Sequence, residues 1–265
     1  MSEPGATLLA GWLACLAGGL LLWLWSLRRR DVSGIDIWWG LFFVGLTWWF
    51  RWRGPALTGF HLAHALLVTL WGLRLALHIA WRGRGQGEDH RYAAMRAGHG
   101  SRFPWVSLGT VFWLQATLAT LLAAPLYAVQ SAAAISPALF VAGAALWAVG
   151  FVWEAVADGQ LLRFRGDPAN RGKVLDRGLW RTSRHPNYFG EAVLWWGYGA
   201  MALAAGGAWT LYAPLAMTWL LLRVSGVALL EKTIGGRRPE YADYVRRTSA
   251  FLPRPPRDSG REGAK

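Results

Sequence analysis

The sequence has a single cysteine, Cys15, among 265 residues. One thiol excludes a disulfide framework, a zinc site with cysteine spacing and a dithiol redox pair. Acidic residues are also scarce, with 15 Asp and Glu against 28 Lys and Arg. Neither an internal repeat nor a break in composition divides the chain before its proline-rich end. We therefore expect one domain over residues 1–252, in which any redox chemistry depends on a bound cofactor.

Apolar sequence is what the chain has in excess: 54% of its residues are hydrophobic and 19 are Trp. A soluble domain does not combine this content with 28 cations unless the two kinds of residue are segregated. They are segregated here, and most of the apolar runs reach the roughly 17–25 residues that a bilayer-spanning helix needs. The sequence predicts an all-α integral membrane protein with seven transmembrane helices, over 7–27, 35–52, 57–81, 105–128, 137–157, 188–205 and 209–230.

The cations indicate how these helices cross the membrane. In the seven-span arrangement, 24 of the 28 Lys and Arg lie on one side, in the segments 28–30, 82–104, 163–184 and 232–265. The positive-inside rule then places the N-terminus outside and the C-terminus in the cytoplasm. We expect a bacterial inner membrane protein in contact with lipid, with a disordered cytoplasmic tail over 253–265. Because topology accounts for the net charge of +13, no nucleic acid partner is expected.

Ionisable residues recur near the predicted cytoplasmic ends of the spans. A charged group in a bilayer is costly, so each is a candidate for function. Three pairs have the i,i+4 spacing that puts two side chains on one helix face. Snorkelling of Arg74 and His78, or pairing of the acids with neighbouring arginines, is the structural alternative. The candidates are Asp36, Glu231 and the pairs Arg74/His78, Glu154/Asp158 and Asn187/Glu191.

The connection between the fifth and sixth runs is rich in functional groups. Residues 157–191 read ADGQLLRFRGDPANRGKVLDRGLWRTSRHPNYFGE. Within this stretch, Arg184 and His185 come directly before Pro186. Proline favours the first turn of a helix, whose free N–H groups and positive dipole end attract anions. We expect an anionic, phosphorylated ligand here, although a solvated positive-inside loop would explain the arginines alone. The other candidate ligand groups of the loop are Arg165, Asn170, Arg171, Lys173 and Arg181.

These motifs resemble the C-terminal half of the steroid 5-alpha-reductase family, and more closely its bacterial branch of unassigned function. The resemblance covers roughly residues 60–255 and rests on WEAVADGQLLRFRGDPANRGKV followed by RGLWRTSRHPNYFGEAVLWWGYG. It implies a seven-helix membrane reductase that binds NADPH from the cytoplasmic side. The positions that match the family's cofactor contacts are Asp158, Arg165, Asn187, Tyr188 and Glu191, with Glu231 and Tyr244 nearer the C-terminus.

The resemblance also implies a reaction, the reduction of an activated C=C bond in an apolar, steroid- or lipid-like enone that enters from the bilayer. The cofactor supplies hydride, and a donor must meet the charge that develops on the carbonyl. We expect Asp36, Arg74 and His78 to be catalytic, with Arg74 as the charge partner of Asp36. Asn187 and Glu191 would hold the nicotinamide ribose, and Arg184 the pyrophosphate. The Gln-Glu pair with which steroid reductases bind their substrate does not occur in this sequence.

Two other functions remain open. The Arg-His-Pro and Tyr element is shared with the isoprenylcysteine carboxyl methyltransferases, which use S-adenosylmethionine. The cations of 163–184 favour NADPH, because a sulfonium donor has no phosphates to neutralise. The third possibility is a non-catalytic lipid- or sterol-binding membrane protein.

Overall fold

The structure is a computed structural model that describes residues 3–224 and 239–256, and all regular elements in this part of the chain are helical. The seven predicted apolar runs are helical along most of their described residues. Apolar runs fold in this way in lipid because a helix satisfies its own backbone hydrogen bonds. The α-helices are α1 (Pro4–Arg29), α2 (Gly34–Arg53), α3 (Gly59–Arg82), α4 (His90–His99), α5 (Phe103–Ser107), α6 (Leu114–Leu122), α7 (Ala124–Ser131), α8 (Pro137–Gly166), α9 (Pro186–Ala204), α10 (Tyr212–Trp219) and α11 (Pro239–Arg247).

Four helical segments are long and apolar enough to cross a membrane: Pro4–Arg29, Gly59–Arg82, His90–Leu122 and Pro137–Gly166. Large apolar side chains on them face outward, as for Leu77, which is 70% exposed. In water such surfaces would be costly, whereas lipid solvates them. The described part of the chain is thus all-helical, with four candidate membrane spans whose apolar surfaces suit contact with lipid.

The fourth apolar run, expected as one span, is broken twice. A π-helical turn over Leu108–Trp113 joins α5 to α6, and the chain leaves the helix at Ala123 before α7 begins. Pro125 explains the second break, since proline has no N–H to continue a helix and its ring clashes with the preceding turn. The first break, the π turn, ends two residues before Gln115, and such turns are frequent at functional sites.

The chain forms two compact units. The first comprises residues 1–140 and 202–210, and the second residues 141–201 and 211–265. In the first unit, α2 and α3 cross with backbones in contact: a Cβ on Gly40 would lie 2.8 Å from the carbonyl oxygen of Gly72. Phe43 and Trp71, both fully buried, pack beside this crossing with ring centroids 5.6 Å apart. Asp36 lies one helical turn before Gly40.

In the second unit, α8 and α9 also pack through glycines. A Cβ on Gly150 would lie 2.3 Å from the backbone N of Leu194, and one on Gly190 would lie 2.5 Å from that of Glu154. Only glycine permits so close an approach of two backbones. The crossing brings the polar end of α8, with Glu154 and Asp158, against the first turns of α9.

Candidate functional site

A half-buried acid–amide pair lies where α8 and α9 meet. The Asn187 side chain donates a hydrogen bond of 3.1 Å to Asp158 Oδ1, and the Asp158 residue is only 5% exposed. Glu154, one turn earlier on α8, is 2% exposed. The helix α9 begins at Pro186, as predicted, which places Asn187 and Glu191 one turn apart near its start. The two i,i+4 pairs of this unit therefore lie on helices that touch each other.

The connection from α8 to α9 folds back onto α8. Trp180 Nε1 donates to the carbonyl oxygen of Ala157 at 3.0 Å, and the Leu179 N–H donates to Gln160 Oε1 at 3.0 Å. Gly178 adopts φ +61° against the Gln160 side chain, a conformation for which glycine is favoured. Gln160 was not among the predicted site residues, and its role depends on the fold of the loop 19 positions later.

Most of the basic residues predicted to bind ligand phosphates are exposed on this connection: Arg165, Arg171, Lys173 and Arg181. Asn170 has a local structural role, because its side-chain amide donates to the carbonyl oxygen of Phe164 at 3.1 Å and to Asp167 Oδ2 at 3.3 Å. The loop can therefore offer charge to an anion, while Asn170 fixes the end of α8.

Arg184 was expected to bind a pyrophosphate, but its described hydrogen bonds hold the C-terminal segment. Its Nη1 donates to the carbonyl oxygens of Val245 at 3.1 Å and Thr248 at 2.5 Å, and its backbone N–H donates to that of Ser249 at 2.8 Å. The residue is 9% exposed. A guanidinium near the last carbonyls of a helix interacts favourably with its dipole, so Arg184 caps α11.

Tyr244 also serves this attachment rather than pointing to a separate ligand. Its hydroxyl donates to the carbonyl oxygen of Trp180 at 2.5 Å, and burial raises the pKa of the phenol, which stays protonated. Ser183 Oγ donates to the carbonyl oxygen of Phe251, and the Arg254 N–H to that of Thr182. We name this attachment the C-terminal clasp: residues 244–254 bonded to residues 180–184.

Of the other predicted residues near α9, the His185 ring stacks on Tyr188 with centroids 5.6 Å apart and planes 2° apart. Both residues are at the start of the helix, as predicted. Glu231 lies outside the described residues.

The first unit contains a second polar cluster, centred on Asp36 in the first turn of α2. Arg91 Nη2 lies 2.8 Å from Asp36 Oδ2, and the Tyr92 hydroxyl donates to Asp36 Oδ1 at 2.7 Å. Gln115 Nε2 lies 3.2 Å from both Asp36 Oδ1 and the Tyr92 hydroxyl oxygen. Sequence analysis missed Tyr92 and Gln115, although Gln115 stands out as a lone amide in an apolar run.

The charge partner of Asp36 is Arg91 and not Arg74, which corrects the expected pairing. Arg74 and His78 lie on α3 as an i,i+4 pair, both half-buried. The pairing differs because the polar segment before α4 folds onto the start of α2 and brings Arg91 to the carboxylate. No signal in the local sequence distinguishes the two arginines as partners.

Two further carboxylates fix that segment. Glu88 accepts from the Val32 N–H at 3.0 Å and from Arg96, whose Nη2 is 2.7 Å away. Asp89 accepts hydrogen bonds from the backbone and side chain of Arg91. Burial alone would raise the pKa of Asp89, but the hydrogen bonds and charge of Arg91 outweigh it and hold the pKa below its usual value. Arg91 is thus oriented by Asp89 toward Asp36.

The helices define the class of this protein, an all-α protein with candidate membrane spans and with polar clusters next to glycine-mediated helix crossings. Residues 22–248 match the family described as "Protein of unknown function (DUF1295)", and the chain belongs to that family. It is 27% identical over 270 aligned positions to an uncharacterized protein of Schizosaccharomyces pombe, across 89% of this chain and 76% of the yeast protein. No solved structure matches the chain significantly.

Proposed function

We propose that this protein is an NADPH-dependent membrane reductase that transfers hydride to an activated C=C bond of an apolar enone. The observation that carries the proposal is the Asp158–Asn187 pair at the helix crossing beside a basic loop, in which the carboxylate is buried and the amide half-buried. The family's relationship to the steroid 5-alpha-reductase group supports it. The reaction needs a dinucleotide held by polar groups and a carbonyl held by a donor.

The proposal includes a membrane arrangement: seven spans in a bacterial inner membrane, with the N-terminus outside and the C-terminus cytoplasmic. It is supported by the 24 cations on one side of such an arrangement. The basic loop that precedes α9 would then face cytoplasmic NADPH, and the apolar substrate would enter from the bilayer.

In the second unit, Asp158, Asn187 and Glu191 would hold the ribose end of NADPH by accepting and donating hydrogen bonds. Arg165, Arg171, Lys173 and Arg181 are exposed and can approach its phosphates, with the bidentate geometry that arginine offers to phosphate oxygens. Arg184 does not fit this role, because its guanidinium is bonded to the carbonyls of the C-terminal clasp. When bound, NADPH would supply the hydride.

In the first unit, Tyr92 is the candidate donor to the substrate carbonyl. Its hydroxyl donates its one hydrogen to the Asp36 carboxylate and accepts from the Gln115 amide, so it would donate to a substrate carbonyl by turning from Asp36. Arg91 lies 2.8 Å from the other oxygen of the Asp36 carboxylate and holds that carboxylate in place, and the carboxylate orients the hydroxyl. Asp36 is therefore an orienting group in this proposal and not the acid itself.

Binding isotherms of the purified full chain in uncharged detergent test the cofactor. We expect NADPH to bind more tightly than NADH, with the difference shrinking at high salt because the 2′-phosphate is recognised by exposed cations. Asp158→Ala leaves the Asn187 amide without its acceptor, and Glu191→Ala removes an acceptor for the ligand. Each should weaken NADPH binding by about 1–3 kcal/mol.

Asp167→Asn is the matched control, because it removes a carboxylate charge from an exposed position and keeps a helix-capping side chain. Its NADPH affinity should not fall, because loss of a negative charge beside Arg165 and Arg171 does not weaken their attraction for the phosphates. Equal affinities for NADPH and NADH with tighter binding of S-adenosylmethionine would replace the proposal with the methyltransferase function. Binding of a sterol with neither cofactor would replace it with the non-catalytic one.

A further inference from the structure

The C-terminal clasp encloses a pocket that the sequence analysis did not predict. Arg184 is the one predicted site residue among its described lining residues. Its volume is about 280 Å³, and it is lined by Arg184, by the chain from Val245 to Ala250, and by Arg254 and Pro255. Among the described residues, four arginines and no carboxylate line it; the arginines are Arg184, Arg246, Arg247 and Arg254. A water molecule occupies about 30 Å³ in the liquid, so the pocket has room for an ion and its hydration.

Positive charge is in excess around this pocket. Arg246 and Arg247 share one carboxylate, Asp243, at 3.0 Å and 2.6 Å, and Arg247 also lies 3.6 Å from Asp176. Both aspartates are exposed, with 40% and 51% of their side-chain surfaces accessible. The Arg254 guanidinium has no hydrogen bond or ion pair with any described residue. Four cations thus lie near two solvated carboxylates, which favours the entry of a dianion.

The pocket also offers hydrogen-bond donors held at fixed positions. The Arg254 N–H donates to the carbonyl oxygen of Thr182 at 3.0 Å, which holds the start of the Arg254 side chain in place. Arg184 holds Val245 and Thr248, which also line the pocket. Ser249 and Ala250 line the same pocket, and their backbone N–H groups donate to no acceptor within the described ranges. Phosphate oxygens are strong acceptors that suit several N–H donors and arginine forks at once.

We propose that this pocket is a phosphate site that takes the dianion of a phosphate monoester. Arg254 provides the charge that is free to turn to the ligand, Arg246 adds charge from its exposed pair with Asp243, and the chain around Ser249 provides backbone donors. The site does not depend on the reductase activity proposed above. The same chemistry could come from a soluble phosphomonoester or from the headgroup of phosphatidic acid, and the experiment separates these sources.

Titration calorimetry of the full chain in uncharged detergent, with inorganic phosphate as the probe, tests the charge requirement. Phosphate should bind more tightly at pH 8 than at pH 6, because its dianionic fraction rises over this interval, whereas sulfate should bind equally at both. Arg254→Gln should weaken phosphate binding by about tenfold, the effect of one charge-assisted hydrogen bond. The substitution keeps the backbone bond to Thr182, so the clasp stays closed.

Arg163→Gln is the matched control, since it removes an exposed cation from α8 in the same unit and away from the pocket. It should leave phosphate affinity unchanged. Equal affinity of the parent and Arg254→Gln, or an equal loss in Arg163→Gln, would overturn the site and leave only non-specific attraction to a basic protein.

The source of the phosphate is tested by competition against the bound probe. Displacement by adenosine 2′-phosphate assigns the site to a soluble ligand, and displacement by phosphatidic acid but not phosphatidylcholine in mixed vesicles assigns it to lipid. Either result supports the phosphate site, and displacement by neither reagent overturns the monoester assignment.

The same measurements separate the phosphate site from the proposed function. If NADPH fails to bind while phosphate binding still depends on Arg254, the site stands and the reductase proposal fails. If NADPH binds and phosphate does not, the reductase proposal stands and the phosphate site fails.

Discussion

In both compact units two helices pack closely at glycines, but the polar clusters beside these crossings are built from different contacts. In each, glycines let two helices touch, at Gly40 and Gly72 in the first unit and at Gly150 and Gly190 in the second. In the first unit Asp36 is neutralised by an arginine 55 positions away, whereas in the second the Asp158–Asn187 pair spans 29 positions. Helix crossings can thus be shared while the polar chemistry next to them is assembled separately.

The largest expected effect breaks the crossing in the second unit. Gly150→Ala places a Cβ where backbone atoms of α9 lie at 2.3 Å, and no flexible side chain can yield there. We expect a loss at or above the upper end of about 1–3 kcal/mol in the free energy of unfolding, the usual cost of overpacking. Thermal unfolding in detergent measures it.

The control for this substitution is Gly159→Ala, on the same helix with nothing within 4 Å of its Cβ position. It should be neutral or slightly stabilising, because alanine favours helix by about 0.5–1 kcal/mol over glycine. Equal stabilities of the two variants would show that α8 and α9 are not in backbone contact.

The next effect sharpens the comparison between charged and neutral acceptors. Tyr92→Phe removes a donor to a carboxylate, and Tyr244→Phe removes a donor to a backbone carbonyl. Hydrogen bonds to charged groups contribute about 1.5–3 kcal/mol and neutral ones about 0.5–1.5 kcal/mol. Unfolding midpoints should therefore fall further for Tyr92→Phe. The opposite order would contradict the described Asp36 cluster.

The smallest effect concerns acid stability in the first unit. Because the folded pKa of Asp89 is lowered, its contribution is complete above the unfolded value of about 3.9 and is lost as pH falls through the folded value. The parent should lose more stability between about pH 5 and pH 3 than Asp89→Asn does. Parallel curves for the two proteins would show that Arg91 does not stabilise the charged form of Asp89.

What the sequence could predict was local. Apolar runs predicted helices, and Pro186 predicted the start of α9, because helix formation and termination depend on neighbouring residues. The i,i+4 pairs fell on helices for the same reason. Seven spans and their orientation remain predictions, since four helices meet the length and composition for crossing a membrane within the part described.

What could not be predicted depends on distant contacts. The Asp36 cluster joins residues up to 79 positions apart, and choosing Arg91 over Arg74 requires the fold of the segment before α4. The role of Arg184 was likewise hidden, because a basic residue before a helix looks the same whether it meets a ligand or the carbonyls of another segment. Cofactor and reaction remain proposals for the binding experiments.

The C-terminal clasp has a consequence for the order of biosynthesis. Arg184 bonds to Val245, which is translated 61 positions later, so the ribosome adds that residue roughly 3–12 s afterwards at about 5–20 residues per second. During that interval the segment 180–184 lacks the carbonyls that it binds in the finished protein. Folding of this loop is therefore a late event, and a nascent chain halted before Val245 exposes it to proteases and chaperones.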